Sequence, residues 1–351
     1  MKKRLTLIPA LALACLLALP VSAHDGWSQT HSPIIAAGEV SYVELLLGNH
    51  SNHHASYRIE GRWSTDTTKV YVISPNGSKA DITATLFYTG EEQEVAEPGK
   101  NNYFVASFSS SQPGAYIVSA EGDSIFKQGE TASRTLRSAK SFVAVSDIPM
   151  LQRVAGLKGF SQPVSTDRAE LIPQFNPAAV TPGQEVSVQL LLKGQPLKDT
   201  EISVIRRSTS DAAVYKTDEQ GRITFTTGPA DYYLLRAKPK TDEKAAGQYD
   251  TTNYEATMTF TVQNGKFTLP AAADEQTPFV YLNGKQIEVP GLSITDGKTM
   301  VPAEFVKTNL NPAFTGSGQV ELQKAAAEAG AATEWLAPVG SFPAAIAISK
   351  K

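Results

Sequence analysis

Short runs in which hydrophobic and polar residues alternate dominate this chain, and Gly, Pro, Asn and Ser separate one run from the next. The run from Val40 to Leu47 is typical. Alternation of this kind places every second side chain on one face of a strand. Many such runs at close spacing predict a mainly β chain.

An internal repeat divides these runs into two units. Residues 38–48 return in similar form as residues 183–194, and residues 113–120 return as residues 228–237. A glycine turn, an alternating strand and a later strand with a Pro-Gly-type turn and a tyrosine are typical of immunoglobulin-like folds. We therefore predict two tandem immunoglobulin-like β-sandwiches, at residues 24–147 and 166–263.

Two linkers and a third unit complete the predicted organisation. Residues 148–165 contain prolines and glycines that favour a linker, and residues 264–278 turn to Ala, Asp and Pro. From residue 279 to residue 351 the pattern changes to a hairpin with an Asn283-Gly284 turn, followed by a helix that ends at Gly330. This pattern predicts a small α+β module at the C-terminus.

The first 23 residues have the pattern of an export signal. Lys2, Lys3 and Arg4 precede an apolar run, and Val21-Ser22-Ala23 supplies small residues for cleavage after Ala23. The protein is thus expected outside the cytoplasm, as a secreted, cell-surface or periplasmic protein. Lipid modification of Cys15 is the alternative, and it would remove His24 from the mature N-terminus.

Composition narrows the function further. Cys15 is the only cysteine, so the mature chain has no disulfides, and the net charge of −3 becomes more negative without the signal. An acidic chain argues against nucleic acid as a partner, because phosphates require a basic face. The sequence also has no nucleophile-elbow motif and no phosphate-binding loop.

All five histidines lie between residues 24 and 54, which is the strongest functional signal in the sequence. Imidazole is the commonest metal ligand among side chains. His24 would start the mature chain and offer its α-amine together with its ring, and Asp25 adds a carboxylate. His31 precedes the first repeat phrase, and a loop after that phrase contains His50, His53 and His54. We predict that these six residues, His24, Asp25, His31, His50, His53 and His54, supply the ligands of a metal site.

The site depends on the arrangement of the first two strands. Successive strands in a sandwich are usually antiparallel neighbours, so the start of one and the end of the next lie at the same end of the fold. A solvated polar loop is the alternative interpretation. The second repeat argues against it, because the matching strand runs into Lys193-Gly194 without any histidine. Asp250 and Glu255 are weaker candidates for oxygen ligands from the second sandwich.

The ligand types indicate which ions are compatible. Imidazole and amine nitrogens suit Ni, Co, Cu or Zn as divalent ions. Without cysteine thiolates, iron–sulfur chemistry and a closed structural zinc site are disfavoured. The sequence leaves the physiological metal open.

Two resemblances to known families add to this interpretation. Residues 24 to about 262 resemble an exported bacterial family of unknown function that accompanies nickel and cobalt uptake systems. The matching segments are residues 24–27, residues 37–50, residues 217–225 and residues 254–260. The resemblance implies β-sandwich domains that hold a metal outside the cell and pass it to a membrane transporter, with His24 and His50 as its best-supported ligands.

The tail, from about residue 279 to residue 348, is similar to the stalk-like domain named after the N-terminal part of copper amine oxidases. The matching phrases are residues 282–285, residues 296–302 and residues 329–335. This resemblance implies a surface or cell-wall module without copper chemistry.

The sequence therefore predicts an exported, non-enzymatic protein that binds a divalent metal ion and serves nickel or cobalt uptake. Two alternatives remain open at this point. One is a copper-dependent enzyme or copper carrier, in which an N-terminal histidine site activates oxygen. The other is a structural cell-surface module without a metal function, in which the histidines serve at most as pH sensors.

Overall fold

The computed structural model describes residues 25–49, 58–61, 63–90, 103–264, 277–338 and 343–350. Most of these residues lie in β-strands that pair into sandwich-like sheets, with a small α+β module at the end. The structure therefore confirms the predicted fold class. Among the described residues, no helix has the length and apolar character that crossing a membrane requires.

The first half of the molecule contains ten strands within the described residues. They are β1 (Asp25–Thr30), β2 (Ile34–Ala36), β3 (Val40–Asn49), β4 (Arg58–Gly61), β5 (Thr68–Ile73), β6 (Lys79–Asp81), β7 (Phe87–Tyr88), β8 (Phe104–Ser109), β9 (Gly114–Gln128) and β10 (Thr131–Ser146). The short helix α1 (Leu151–Val154) follows within the predicted linker.

The second half and the C-terminal module continue the chain. The second half has β11 (Ala169–Pro173), β12 (Glu185–Leu192), β13 (Gln195–Pro196), β14 (Glu201–Arg206), β15 (Ala212–Lys216), β16 (Arg222–Thr226), β17 (Asp231–Ala237), β18 (Lys240–Thr241) and β19 (Thr251–Val262). The module has β20 (Phe279–Leu282), β21 (Lys285–Ile287), β22 (Ser293–Thr295), β23 (Lys298–Pro302), α2 (Ala303–Asn309), β24 (Gln319–Glu321), α3 (Leu322–Glu328), β25 (Ala331–Leu336) and β26 (Ala345–Lys350).

The two halves share one central sheet. Its main path within the described residues runs β15-β14-β17-β19-β10-β9-β5-β6, and β10 pairs with β19 in parallel. Outward from the two central strands β19 and β10, the strand order is the same on both sides of the sheet. On one side β17, β14 and β15 follow, and they correspond to β9, β5 and β6 on the other side. The sequence repeat is thus visible as an approximate twofold relation within a single sheet.

The two faces of this sheet carry different layers. Val118 on β9 packs with Val43 and Leu45 of β3, so the sheet β1-β3-β8 covers that face of the first half. Ile117, the next residue back along the strand, points to the opposite face and belongs to the core that contains the second-half residues. There Val154 and Phe160 of the predicted linker cover the first half. The linker is therefore part of the core and joins the two units.

A tyrosine at the same place in each repeat closes the strand that follows the Pro-Gly-type turn. The hydroxyl of Tyr116 donates to the carbonyl of Gln112 at 2.8 Å, and the hydroxyl of Tyr233 donates to the carbonyl of Pro229 at 3.2 Å. Both bonds reach back four residues, as the tyrosine corner of immunoglobulin-like folds does. The repeated phrase therefore specifies the same corner twice.

The C-terminal module has the predicted hairpin and helix. Asn283 and Gly284 both have positive φ, at 49° and 81°, and form the two-residue turn between β20 and β21. The helix α3 ends at Glu328, two residues before Gly330 with its φ of 72°. Tyr281 of the module packs with Ile148 and Met150, so the module docks on the chain that leaves β10.

Candidate metal-binding end of the first sandwich

The strand ends that flank the predicted histidine site lie next to each other. β1 and β3 are antiparallel, and Asp25 is the register partner of Gly48. His24 directly precedes Asp25 in sequence, and His50 follows two residues after Gly48. His24, His50, His53 and His54 all lie outside the described residues. The antiparallel arrangement that the prediction required is present in the part of the chain that the structure describes.

His31 lies at the other end of β1. Its exposed ring accepts a hydrogen bond from the backbone N–H of Tyr42 at 3.1 Å through Nδ1, and it meets the Tyr42 ring edge-on. It lies six positions after Asp25 along the extended chain, which is roughly 20 Å at the usual rise of a strand. The structure does not bring His31 and Asp25 together, although both were predicted to serve one site.

Asp25 is fully buried and is bound by two cations from the second half. Arg236 on β17 contacts its Oδ2, and Lys238 just beyond β17 contacts its Oδ1. A buried carboxylate needs such partners, since desolvation of an unpaired charge costs several kcal/mol. Asp25 therefore fixes the start of β1 against the second half, and a metal ion would have to displace these cations to use its oxygens.

The backbone of β1 is also hydrogen-bonded to β19. Glu255 accepts from the N–H of Gly26 through Oε1. Thr257 donates to the carbonyl of Gly26 at 2.7 Å, and Thr259 donates to the carbonyl of Ser28 at 2.6 Å. All six residues of β1 are buried, although four of them are polar. The polar side chains of β1 have partners in the first half as well, because Ser28, Gln29 and Thr30 hydrogen-bond to Ser141, Glu44 and the carbonyl of Phe142.

Glu255 was a weak candidate for an oxygen ligand in the sequence, and the structure places it beside the residue that follows Asp25. Its Oε2 accepts from Nε of Arg137 at 3.2 Å. Burial raises the pKa of the Glu255 carboxyl, and the charge of Arg137 opposes that rise. The Trp63 ring covers Gly26 so closely that an added Cβ would lie 2.9 Å from it. Glu255 therefore holds β1 and has little room for an ion.

A second buried ion pair crosses the same junction. Nζ of Lys140 on β10 lies 2.8 Å from Oε1 of Glu170 on β11, and both side chains are 1% exposed. Burial lowers the pKa of the Lys140 ammonium, while the charge of Glu170 opposes that decrease. Glu170 also accepts from the N–H of Val164. Sequence reasoning missed this pair because nothing local marks Lys140 as buried.

A further charged residue links the second half back to the first. Arg168, just before β11, donates to the carbonyl of Gly122 at 2.7 Å and lies 3.4 Å from Oε2 of Glu121 on β9. Glu121 also pairs with Lys79 at 3.0 Å. Buried charges of both halves thus meet across the junction.

The described residues contain no group of three or more His, Cys, Asp or Glu side chains arranged to hold a metal ion. Two of the six predicted ligands, Asp25 and His31, are among those residues. Within the described part of the first half, the structure shows a support for such a site. This support is the buried start of β1, which ion pairs hold in place and which His24 directly precedes in sequence.

The fold and this support define a class of β-sandwich protein in which two repeated units share one sheet. A family model described as a domain of unknown function, DUF4198, matches residues 21–241, and the chain belongs to this family. No curated protein matches the chain.

Solved structures show only remote similarity. A DUF4785 family protein from Legionella pneumophila aligns at 13% identity and a TM-score of 0.21, over 60% of this chain and 52% of that one. The chain thus spans about half the length of the Legionella protein. The D0–D1 domain of intimin aligns at 12% identity and a TM-score of 0.17, over 66% of this chain and 96% of that one. The adhesin InvE of Yersinia pseudotuberculosis aligns at 17% identity and a TM-score of 0.17, over 86% and 73%.

Proposed function

We propose that this protein is an exported, non-enzymatic carrier of a divalent metal ion that serves nickel or cobalt uptake. In this proposal the ion binds outside the membrane, at the end of the first sandwich, and passes to a membrane transporter. The N-terminal amine and ring of His24, with His50 and His53 or His54, supply the nitrogen ligands. The export signal of residues 1–23 is part of the same proposal.

The pairing of Asp25 with Gly48 is the observation that supports this proposal most directly. Because of this pairing, the stretch that contains His24 and the stretch that contains His50 both begin at neighbouring strand ends, although they are separated in sequence. The burial of β1 adds a second argument, since a fixed strand end lowers the entropy that the ligands lose when they bind an ion. The resemblance to a family that accompanies nickel and cobalt uptake supports the choice of metals.

The proposal assigns different roles to the six predicted residues. Asp25 anchors β1 through Arg236 and Lys238 and stays outside the coordination shell. His31 is too far along β1 to join the same ion. The C-terminal module, by its similarity to stalk-like domains, would hold the carrier at the cell surface or wall.

Calorimetric titration of mature protein that begins at His24 tests the proposal. We expect at least one of Ni(II), Co(II), Cu(II) and Zn(II) to bind with a Kd below about 1 μM, or roughly −8 kcal/mol. His24→Ala and His50→Ala should weaken that affinity by an order of magnitude or more. One extra residue before His24 should act like His24→Ala, because it removes the amine from the chelate.

His31→Ala is the matched control, since it removes an imidazole from the same strand at its opposite end. It should leave the affinity unchanged. If none of the four ions binds below about 1 μM, or if His31→Ala weakens binding as much as His24→Ala, the proposed site is wrong. Ions that bind only the folded protein must also raise its thermal stability.

A further inference from the structure

One tryptophan of this protein is exposed. The sequence has three, and Trp27 and Trp63 are buried in the sandwiches. Trp335 is 49% exposed and lies near the end of β25 in the C-terminal module. A single exposed aromatic residue is common on protein surfaces, so what matters is whether Trp335 borders a groove with polar groups beside it.

The position of Trp335 follows from the alternation along β25. Ala331 belongs to the module core, and Thr333 and Trp335 follow it on the same face of the strand. Leu336 lies on the opposite face and packs against Ile148 and Met150. Trp335 therefore extends the core face of β25 past the edge of the core, where its ring borders open space.

That space is a groove of about 170 Å³. The turn of the β22–β23 hairpin and the start of α3 form one side, and Thr333 and Trp335 form the other. Leu322 and Ile346, which are 1% and 3% exposed, lie at its base. Drug-sized pockets are usually 300–1,000 Å³ in volume. The groove therefore suits one ring of a longer ligand that lies across the surface.

Polar groups line the groove without being used by the fold. Thr299, Gln323 and Thr333 border it, and no side-chain hydrogen bond among the described residues involves them. Each can donate and accept, so each can bind a hydroxyl or an amide of a ligand.

The charges at the groove are balanced. Lys298 pairs with Glu321 at 2.9 Å, and Glu334 pairs with Arg153 of the linker at 3.0 Å. A phosphate-rich ligand needs an excess of cations, which this groove does not offer. A purely apolar peptide would cover the hydroxyls and the amide without satisfying them, at a cost of about 1–3 kcal/mol for each buried group.

We propose that this groove binds one ring of a neutral glycan chain. A pyranose ring has a flat C–H face that stacks on the ring of Trp335, while its hydroxyls hydrogen-bond to Thr299, Gln323 and Thr333. An aromatic platform beside a few polar groups satisfies both faces of such a ligand. Binding is non-covalent and involves no reaction. It gives a chemical basis to the proposed attachment of this module to the cell surface, on which it rests, and it does not depend on the proposed metal site.

Two sources share this chemistry, and co-sedimentation distinguishes them. The full exported chain is mixed with peptidoglycan sacculi or with an insoluble neutral β-glucan, and the bound fraction is measured against protein concentration. Trp335→Ala should weaken retention roughly two- to twelvefold, which corresponds to the 0.5–1.5 kcal/mol of an aromatic stacking contact. Gln323→Ala, an exposed change on the opposite side of the groove, should weaken it by a smaller factor. The bound glycan should also shield wild-type tryptophan fluorescence from acrylamide.

Phe279→Ala is the matched control, since Phe279 is an exposed aromatic residue of the same module outside the groove. It should bind like wild type. Retention that Trp335→Ala weakens supports the proposal, whether it occurs on sacculi alone, which identifies a wall glycan, on the glucan alone, which identifies a neutral polysaccharide, or on both. It is overturned if the wild type is retained on neither, or if Trp335→Ala binds as tightly as wild type while melting at the same temperature.

Discussion

The two halves of the molecule use the same repeated strand and end it differently. In the second half, β12 ends at Leu192, and the two residues Lys193 and Gly194, both at positive φ, turn the chain directly into β13. In the first half, β3 continues through Gly48 and Asn49 toward the histidine-bearing stretch. A two-residue turn is thus enough to close this end of the repeated unit in the second half, and that turn contains no histidine.

A second difference concerns the charges at the junction. Leu47 and Leu192 occupy the same place in the repeat, and their register partners are Gly26 and Ala169. The residues just before these partners, Asp25 and Arg168, are therefore equivalent. Alignment of the two repeated tyrosines likewise makes Lys238 the equivalent of Glu121. Asp25 pairs with Lys238, and Arg168 pairs with Glu121. Equivalent positions thus form an ion pair twice, and the positive and negative residues are exchanged between the two pairs.

This exchange of charges determines which position in the fold β1 occupies and which position β11 occupies. If β1 occupied the place of β11, Asp25 would face Glu121, and two buried carboxylates would repel each other. Like charges brought together cost several kcal/mol, which is a common way of excluding a wrong partner. Two halves with similar backbones can thereby form one defined sheet.

Lys140→Met should have the largest effect on this junction. It leaves Glu170 buried with only the Val164 N–H as a partner, and breaking a buried pair in this way costs about 3–5 kcal/mol of unfolding free energy. Urea denaturation measures the loss. Lys193→Met, which breaks an exposed pair with Glu243, is the control and should cost less than about 1 kcal/mol. Equal losses in the two variants would show that burial does not determine the strength of these pairs.

Asp25→Asn should have the next largest effect, about 2 kcal/mol. It removes the charge that holds Arg236 and Lys238, but both cations are partly exposed and can regain water, so the loss is smaller than for Lys140. The double variant Asp25→Asn with Lys238→Met should lose less than the two single variants together, because the pair is broken only once. Strict additivity in urea denaturation would contradict the pairing.

Thr257→Val tests the neutral counterpart of Lys140. By the register with β9 and β17, Thr257 occupies the place in β19 that Lys140 has in β10. Its hydroxyl donates to the carbonyl of Gly26, so its loss should cost about 1 kcal/mol, the usual net value of one such bond. Thr261→Val, on the same strand and partly exposed, should be nearly neutral. A loss as large as that of Lys140→Met would remove the distinction between a charged and a neutral contact.

The sequence predicted the elements that depend on local pattern. Alternation and glycine turns give the strands, the Asn283-Gly284 turn forms as expected, and the repeat appears as matching strands on either side of the centre. The parallel pairing of β10 with β19 could not be predicted from the sequence. The residues that pair across these two strands are about 118 positions apart in the chain, and no local period encodes which strands meet.

Polar composition explains most of what the sequence concealed at the candidate site. Asp25, Ser28, Gln29 and Thr30 of β1 are polar, which by itself suggests an exposed segment, yet all four are buried between the two halves. Asp25 was therefore predicted to be a ligand, while its charge is used by Arg236 and Lys238. Only the reversed signs in the two repeats, Asp25 with Lys238 and Arg168 with Glu121, could have signalled this role.

The two strand ends should also differ in their response to acid, and the end of the second half should show the smallest effect on stability. In the second half, Lys193 donates to Glu243 and holds the pKa of that carboxyl below its ordinary value of 4.5. A carboxyl with a lowered folded-state pKa stabilises the fold above its ordinary pKa and loses that contribution as pH falls through the lowered value. Between pH 7.5 and pH 5 the stability that this end contributes should therefore not change, and Lys193→Met should alter the melting temperature by the same small amount throughout that range.

In the first half, ordinary imidazoles protonate near pH 6.5 and then cannot hold a metal. The stabilisation that the proposed site would give the wild type with Ni(II) should therefore vanish over the same interval, as thermal melting with and without the ion would show. Stabilisation that persists unchanged to pH 5 would mean that the ion is not held by histidines.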